Sequence, residues 1–307
     1  MPDLDLLVVG DANPDLVLSG DVAPAFGQAE RLVEHDLVLG GSGAIAACAA
    51  VRLGVSTAFV GVVGDDAFGR FTLDALSELG VDTSGCRVDA EQPTGITVIL
   101  SREGDRAILT SPGTIADLRR ADVPADLLAS ARHVHVSSYF LQKGLRDDLP
   151  GLFEEVRARG GSTSVDPNGD PTGTWDGGLL ELLPLVDVFL PNGAEARAIA
   201  REDDLEDAAR ALAERGPTVA VKDGVSGGLV AEGDVTIRAA AAPVEVVDAI
   251  GAGDAFDAGF LAGRLLGESL ERCLRLAVAC GTLSTRGRGG TAAQPTMDEV
   301  RASWSAA

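Results

Sequence analysis

The run Asp248-Ala249-Ile250-Gly251-Ala252-Gly253-Asp254-Ala255-Phe256 joins an apolar stretch, Val244-Glu245-Val246-Val247, to a long apolar helical segment. Glycines at 251 and 253 free successive backbone N–H groups from Cβ interference, and a helix N-terminus turns such amides and its dipole toward an anion. Asp254 falls in the first turn, where the dipole favours the ionised carboxylate. A carboxylate beside an anion hole suits phosphoryl transfer to an alcohol. Asp254 would take the hydroxyl proton while the amides of Gly251, Ala252 and Gly253 stabilise the transferring group. Taken alone, the same residues also describe an ordinary capped helix with an acidic first turn.

Two further clusters follow strand-like runs at 185–190 and 218–222: Asn192-Gly193-Ala194-Glu195 and Lys222-Asp223-Gly224-Val225-Ser226-Gly227. Ligands of open α/β sheets bind at the carboxyl ends of strands. Asn192 and Glu195, three apart on one helical face, could hold a hydrated Mg²⁺ near phosphates, or form a helix capping box. Lys222, or the backbone of Gly224 and Gly227, could meet a nucleotide. No Walker A pattern occurs, which argues against a P-loop fold. A rival reading starts from Gly41-Ser42-Gly43-Ala44-Ile45-Ala46, with Asp65 and Asp66 downstream and a Y-x-x-x-K at Tyr139–Lys143: an NAD-dependent dehydrogenase. Against it, the glycine turn comes after about forty residues rather than on the first strand. Ser137 and Ser138 also sit too close to Tyr139 for that catalytic set.

These residues need a scaffold. A short buried strand at 5–9 ends at Gly10, and an Ala-rich helix at 44–53 stops at Gly54. Thr57 to Val63 reads as β, and Ala67 to Leu79 as a helix closed by Gly80. Alternating segments Gly95–Leu100 and Arg106–Thr110, around Arg102-Glu103-Gly104-Asp105, read as a hairpin. From 132, strands at 132–137, 162–165, 185–190 and 218–222 alternate with helices near 145–159, 176–183, 193–200 and 204–215. That pattern predicts a mostly parallel sheet with helices on both faces. A second hairpin, near 228–231 and 234–238, precedes helices at 252–266 and 269–285. The segment near 16–38 and the first hairpin break the βα alternation, which predicts a small β lid on a large α/β body.

The chain has 307 residues, a formal net charge of −22, 46% apolar and 4% aromatic residues. The charge repels nucleic acid and anionic lipid, so neither is an expected partner. No run of about 18 apolar residues argues for a membrane span, and Met1-Pro2-Asp3-Leu4-Asp5 lacks a secretory pattern. Cys48, Cys86, Cys273 and Cys280 show no CxxC spacing and read as small hydrophobes in a reducing cytoplasm.

In this order, the pieces resemble the ribokinase/PfkB family of carbohydrate kinases from Gly10 to about Gly290. The N-terminal signature is similar to Gly40-Gly41-Ser42-Gly43-Ala44 through Arg52-Leu53-Gly54, then Gly61-Val62-Val63-Gly64-Asp65-Asp66-Ala67-Phe68-Gly69. The C-terminal one is similar to Asp248 through Phe256. Asp166-Pro167-Asn168, Trp175, Asp187 and Asn192–Glu195 stand between them at family-like intervals. The resemblance implies one ribokinase-like domain over 1–307, with lid segments at about 11–39 and 94–112, that transfers phosphate from ATP to a sugar hydroxyl. It makes Asp254 the base and Gly251, Ala252 and Gly253 the anion hole. Asn13, Asp15, Gly40, Gly41 and Ser42 would meet the sugar. Asn192 and Glu195 would organise Mg²⁺, while Lys222, Gly224 and Gly227 line the ATP channel. Asp248 and the Arg286–Thr291 loop are similar to a K⁺ site, and the lid would pair two protomers into a homodimer. A nucleoside kinase of the same fold is the alternative substrate class.

Two positions depart from the family pattern. Ile45 stands where many sugar-specific members carry a substrate-touching Asn, which argues against a ribose-like binding mode. Ala249-Ile250 lacks the hydroxyl common before the glycine box, which bears on K⁺. Tyr139 and Gln142 follow a strand near the expected sugar pocket and are candidate substrate contacts. His133 and His135 read as packed or exposed rather than catalytic, and Arg106 as a solvated hairpin residue.

Overall fold

The computed structural model describes residues 4–23, 26–27, 30–102 and 105–305. In chain order the strands are β1 Leu4–Val9, β2 Asn13–Ser19, β3 Glu34–Gly40, β4 Thr57–Val60, β5 Val62–Gly64, β6 Arg87–Asp89 and β7 Ile96–Arg102, followed by β8 Asp105–Ser111, β9 Ala131–Val136, β10 Ser162–Val165, β11 Val188–Phe189, β12 Thr218–Lys222, β13 Gly228–Glu232 and β14 Val235–Ala239. The helices are α1 Ser42–Arg52, α2 Ala67–Glu78, α3 Ala125–Ser130, α4 Leu149–Ala158 and α5 Leu179–Leu182, followed by α6 Gly193–Ala200, α7 Leu205–Ala213, α8 Ala252–Leu265, α9 Leu270–Ser284 and α10 Met297–Ser305.

Eight strands form the main sheet in the order β14-β13-β12-β11-β10-β9-β1-β4. Those from β12 to β4 run parallel, and the β13–β14 hairpin adds two antiparallel strands at one edge. Strands such as Leu6-Leu7-Val8-Val9 and Thr57-Ala58-Phe59-Val60 are buried on both faces, as a parallel sheet covered by helices requires. One face packs on α4, α5, α6 and α7 through Phe153, Leu182, Ile199 and Leu212. The other packs on α1, α8 and α9, where Cys48, Cys273 and Cys280 are buried among alanines and leucines. A buried Phe or Leu contributes roughly 1.5–3 kcal/mol relative to exposure, so these two faces dominate stability. Because β1 continues to β4 on one side and the chain later returns to β9 on the other, the order switches at β1–β9, where a ligand crevice is expected.

The segment that interrupts the alternation forms β2 and β3, which join β7 and β8 in a four-stranded sheet, β3-β2-β7-β8. The hairpin of β7 and β8 is present; Glu103, Gly104 and the side chain of Arg106 lie outside the described residues. The strand expected over 185–190 shrinks to two residues, and the helix over 176–183 to one turn of α5. Leu183-Pro184-Leu185 forms a 3₁₀ turn there, since Pro184 cannot donate to a longer helix.

Candidate active site

The N-terminus of α8 stands open. Asp66, Asn192, Asp204 and Ser269 cap α2, α6, α7 and α9 with their side chains, and Asp11 caps α1 by accepting from Ser42 N (3.0 Å) and Gly43 N (3.2 Å). No side chain caps α8. Its N-cap, Gly251, has φ 73°, and a Cβ there would fall 2.6 Å from Gly290 Cα and 2.9 Å from Ile45 Cγ2. Only glycine meets both demands. Asp248 anchors this turn from below: Oδ1 accepts from Ile250 N (3.0 Å) and Oδ2 from Gly289 N (2.9 Å). Ala252 N reaches back to Ala249 O (3.4 Å), while the α8 dipole and the Gly253 amide beyond it face no side-chain cap and can meet a ligand.

Asp254 is half-buried in this turn. The Ser42 side chain hydrogen-bonds to it, and Ser42 Oγ in turn accepts from Asn168 Nδ2 (3.0 Å), which also reaches Ser138 Oγ (2.9 Å). The helix dipole suggested an ionised Asp254. Burial and the nearby Asp166 carboxylate overrule it and push Asp254 up to about 8, with Lys222 opposing and Asp11 adding.

Below Asp254 lies a carboxyl cluster. Oxygens of Asp166, Asp254 and Asp257 all come within 4.8 Å of one another. The Lys222 ammonium is their counter-charge, with Nζ 3.2 Å from Asp166 Oδ2 and 3.0 Å from Asp257 Oδ2. Burial works against the Lys222 charge, but Asp166, Asp257, Glu195 and Asp254 together hold the ammonium protonated. Burial also raises Asp257 far above the carboxylate range, whereas Lys222 and a hydrogen bond from Asp257 outweigh burial and keep Asp166 low.

At the start of β2, Asn13 Nδ2 donates to Asp15 Oδ1 (2.9 Å) and to Thr97 Oγ1 of β7 (3.3 Å). Burial pushes Asp15 up to about 7, partly offset by Asn13. The Asp15 carboxyl lies flat on Gly40, where a Cβ would stand 2.1 Å from Cγ.

On the other side of the α8 turn, a cleft of about 470 Å³ is lined by Lys222, Gly224, Gly227, Ala252 and Gly253 and walled by Val225, Pro243 and Val278. Its apolar walls fit a flat heteroaromatic ring, and its polar end meets the open amides. Asn192 and Glu195 border Lys222 and form the capping box: Asn192 Oδ1 accepts from Ala194 N and Glu195 N (both 2.9 Å), and Glu195 Oε2 from Asn192 N (2.8 Å). Burial, then Asp166, push Glu195 up to about 7.

Two candidate contacts are corrected. Tyr139 is 1% exposed, its ring edge-on to Phe140 in the core and its hydroxyl donating to Gly177 O (2.7 Å). Gln142 is fully buried; with both amide ends satisfied it donates to Ile115 O (3.2 Å) and accepts from Asp11 N (3.3 Å). Neither faces a ligand. Ile45, 3% exposed, is a buttress behind Gly251 and Gly290 rather than a pocket wall. Asp11 and Asp257 escaped the sequence reading, although Asp257 stands three residues after Asp254, hence on its helical face.

A carbohydrate-kinase family model, described as pfkB family carbohydrate kinase, matches residues 3–297. The chain belongs to the pfkB family. It is accordingly an ATP-dependent carbohydrate kinase, a phosphotransferase with an alcohol acceptor. Among pfkB-family relatives, a fructokinase from Klebsiella pneumoniae is 33% identical, over 96% of this chain and 98% of its own. An ATP-dependent ribose-1-phosphate kinase from Halopiger xanaduensis is also 33% identical, over 97% of both chains. A ribokinase II structure from E. coli, solved with ATP and Mg²⁺, superposes with a TM-score of 0.88 at 26% identity, covering 99% of this chain and 100% of that one. The pfkB assignment removes the dehydrogenase reading. In physical terms, the Gly41–Gly43 turn follows β3 of the small sheet, not a strand of the main sheet, and Tyr139 is buried. Among the described residues, no helix is long and apolar enough to cross a membrane.

Proposed function

We propose that the chain phosphorylates a hydroxyl of a small sugar, with Asp254 as the general base. One observation carries this: the only half-exposed member of the carboxyl cluster stands in the first turn of the uncapped α8, whose Ala252 and Gly253 line the apolar cleft, and Asp11 acts on both it and Asp15. ATP would lie with its base in the cleft against Gly224, Gly227 and the Lys222 stem, and its γ-phosphoryl at the amides of Gly251, Ala252 and Gly253. Asn13, Asp15, Gly40, Gly41 and Ser42 would hold the sugar. The acceptor O–H proton passes to Asp254 as its oxygen attacks phosphorus and ADP departs.

Mg²⁺ fits near Glu195, which keeps one carboxylate oxygen free of the capping box for metal-bound water, while Asn192 holds the helix end. Bound there, it would neutralise charge on the phosphates. Asp248, tied to both the Ala249–Ile250 turn and the Gly289 loop, would organise K⁺. The small sheet would close as a lid over the sugar. Its exposed Leu37, Ile108 and Leu109 favour pairing of two copies, which light scattering would detect. An ADP-release assay over pentoses, hexoses, sugar acids and nucleosides, with and without K⁺, tests the reading. Turnover of nucleosides alone would move the assignment to nucleoside kinase, and no turnover of any compound would defeat it.

A further inference from the structure

On the face of the main sheet that packs under α8, β9 and β10 carry a polar stripe. His133 and His135 stand in register with Leu6 and Val8 of β1 on one side and with Ser162 and Ser164 of β10 on the other. Ser164 is in turn in register with Val188 of β11. The flanking strands show that apolar residues fit these positions, and a buried polar side chain is unfavourable unless it is fully hydrogen-bonded.

The four side chains make one continuous chain. Ser162 Oγ lies 2.7 Å from His133 Nδ1, His133 Nε2 lies 2.7 Å from Ser164 Oγ, and Ser164 Oγ lies 2.8 Å from His135 Nδ1. Both imidazoles are buried. At the lower end Ser162 and His133 line an open cleft of about 1020 Å³, beside Arg132, Arg159 and Arg264. At the upper end His135 Nε2 is buried with no partner among the described residues. The next residue of β10 on that face is Asp166, whose carboxylate acts on His135. Asp257 Oδ1, on the far side of Asp166, is the other unpartnered atom of this region.

We infer that Ser162, His133, Ser164 and His135 form a proton relay between the Asp254–Asp166–Asp257 carboxyl cluster and solvent at the amino edge of the sheet. It rests on the proposed role of Asp254, which must release the proton it takes before it can act again. Hydroxyls and neutral imidazoles each accept a proton at one lone pair and donate another, so an alternating Ser–His chain conducts where lysines or arginines would not. Burial first, then His135 and Arg264, lower His133 to about 3, and burial and Lys222 lower His135 to about 4 against the pull of Asp166. Both rings are neutral at physiological pH and so retain an accepting nitrogen.

The steps balance. The proton leaves Asp254 for the Asp166–Asp257 pair and reaches His135 Nε2, which no described side chain contacts by hydrogen bond, through one bridging water that accepts it and passes on another. His135 Nδ1–H passes to Ser164 Oγ, the Ser164 proton to His133 Nε2, His133 Nδ1–H to Ser162 Oγ, and the Ser162 proton to solvent. Each group ends with the number of protons it began with. Tautomer exchange and hydroxyl rotation restore the starting polarity. The exit lies at the opposite end of the sheet from the substrate mouth, so a closed site can still lose its proton.

Ser164, the central hydroxyl, gives the test, on the full chain with a sugar the wild type turns over. Ser164→Ala is expected to lower kcat about tenfold or more with KM for ATP and sugar unchanged, to raise the solvent deuterium isotope effect on kcat, and to leave small-buffer concentration rate-determining. Ser164→Thr keeps the hydroxyl on a strand-compatible side chain and is expected to restore most of the rate. A Ser164→Ala enzyme that melts lower but keeps kcat within twofold and its isotope effect unchanged would overturn the relay and leave a structural network. A rate loss that Ser164→Thr does not restore would overturn it too. A wild-type chain inactive on every sugar defeats the functional reading first, and the relay with it.

Discussion

Asp257 lies one helical turn beyond Asp254 on α8, and its Oδ2 stands 3.0 Å from Lys222 Nζ. Asp254, the raised Asp257 carboxyl and the ammonium that offsets Asp166 thus occupy one connected cluster. Burial and the charges of Asp166 and Lys222 set the basicity of Asp254, the proposed base.

Asp254→Asn is expected to lower kcat by about 10²–10⁴-fold, the usual contribution of a general base, while ATP affinity by calorimetry stays close to wild type. Retention of most of the rate would remove Asp254 from its role.

The pH profile follows from the same residue. With Asp254 raised to about 8, kcat/KM should climb with pH and level off above it. Asp166 raises Asp254 and Lys222 lowers it, so Asp166→Asn should move the acid limb to lower pH and Lys222→Met to higher pH. Lys222→Met should also destabilise by about 3–5 kcal/mol, since it strands buried carboxyls without their partner. Identical limbs in all three proteins would show that the cluster does not tune the base.

Stability should fall as pH rises from about 4 to 8. Asp15 at about 7, Glu195 at about 7 and Asp254 at about 8 keep protons in the folded chain that the unfolded chain has lost near 4. More protons bound in the folded state means stability is fully present below the unfolded values and lost through the folded ones. Thermal melts across this range check the slope. Asp15→Asn, which cannot ionise, should flatten it and gain about 1–3 kcal/mol near the alkaline end while losing sugar affinity.

Ile45→Asn should not create a sugar contact. The side chain is 3% exposed and wedged against Gly251 and Gly290. A buried amide there should lower stability by about 1–3 kcal/mol and weaken ATP binding through the Gly251 turn, read by melting and calorimetry. An improved KM for a pentose would contradict this placement.

The main sheet was legible because β1, β4 and β12 are short, largely apolar runs, because strand-like and helical patterns alternate from residue 132 on, and because the α8 box combines glycines with a first-turn acid. The small sheet was only half legible. The β7–β8 hairpin alternates and turns within itself, whereas β2 and β3 are separated by a long connection, and β2 also pairs with the distant β7. Tyr139 and Gln142 misled because proximity to a strand end does not say which face a side chain takes. Asp11, Asp166 and Asp257 act through partners distant in sequence: the Asp11 carboxylate reaches amides about thirty residues on. No periodicity encodes such contacts.

Asp11 has one more effect, shared with Asp66. Asp11 caps α1 and leads straight into β2; Asp66 caps α2 through Gly69 N and also grips Thr94, just before β7, by its amide and hydroxyl (2.8 Å each). The small sheet therefore leaves the body through two stems, each clamped to a helix N-terminus by an aspartate. One root is Ser42, which bonds both Asp11, through its amide, and Asp254, so the tie that holds the small sheet to the body shares a residue with the proposed base.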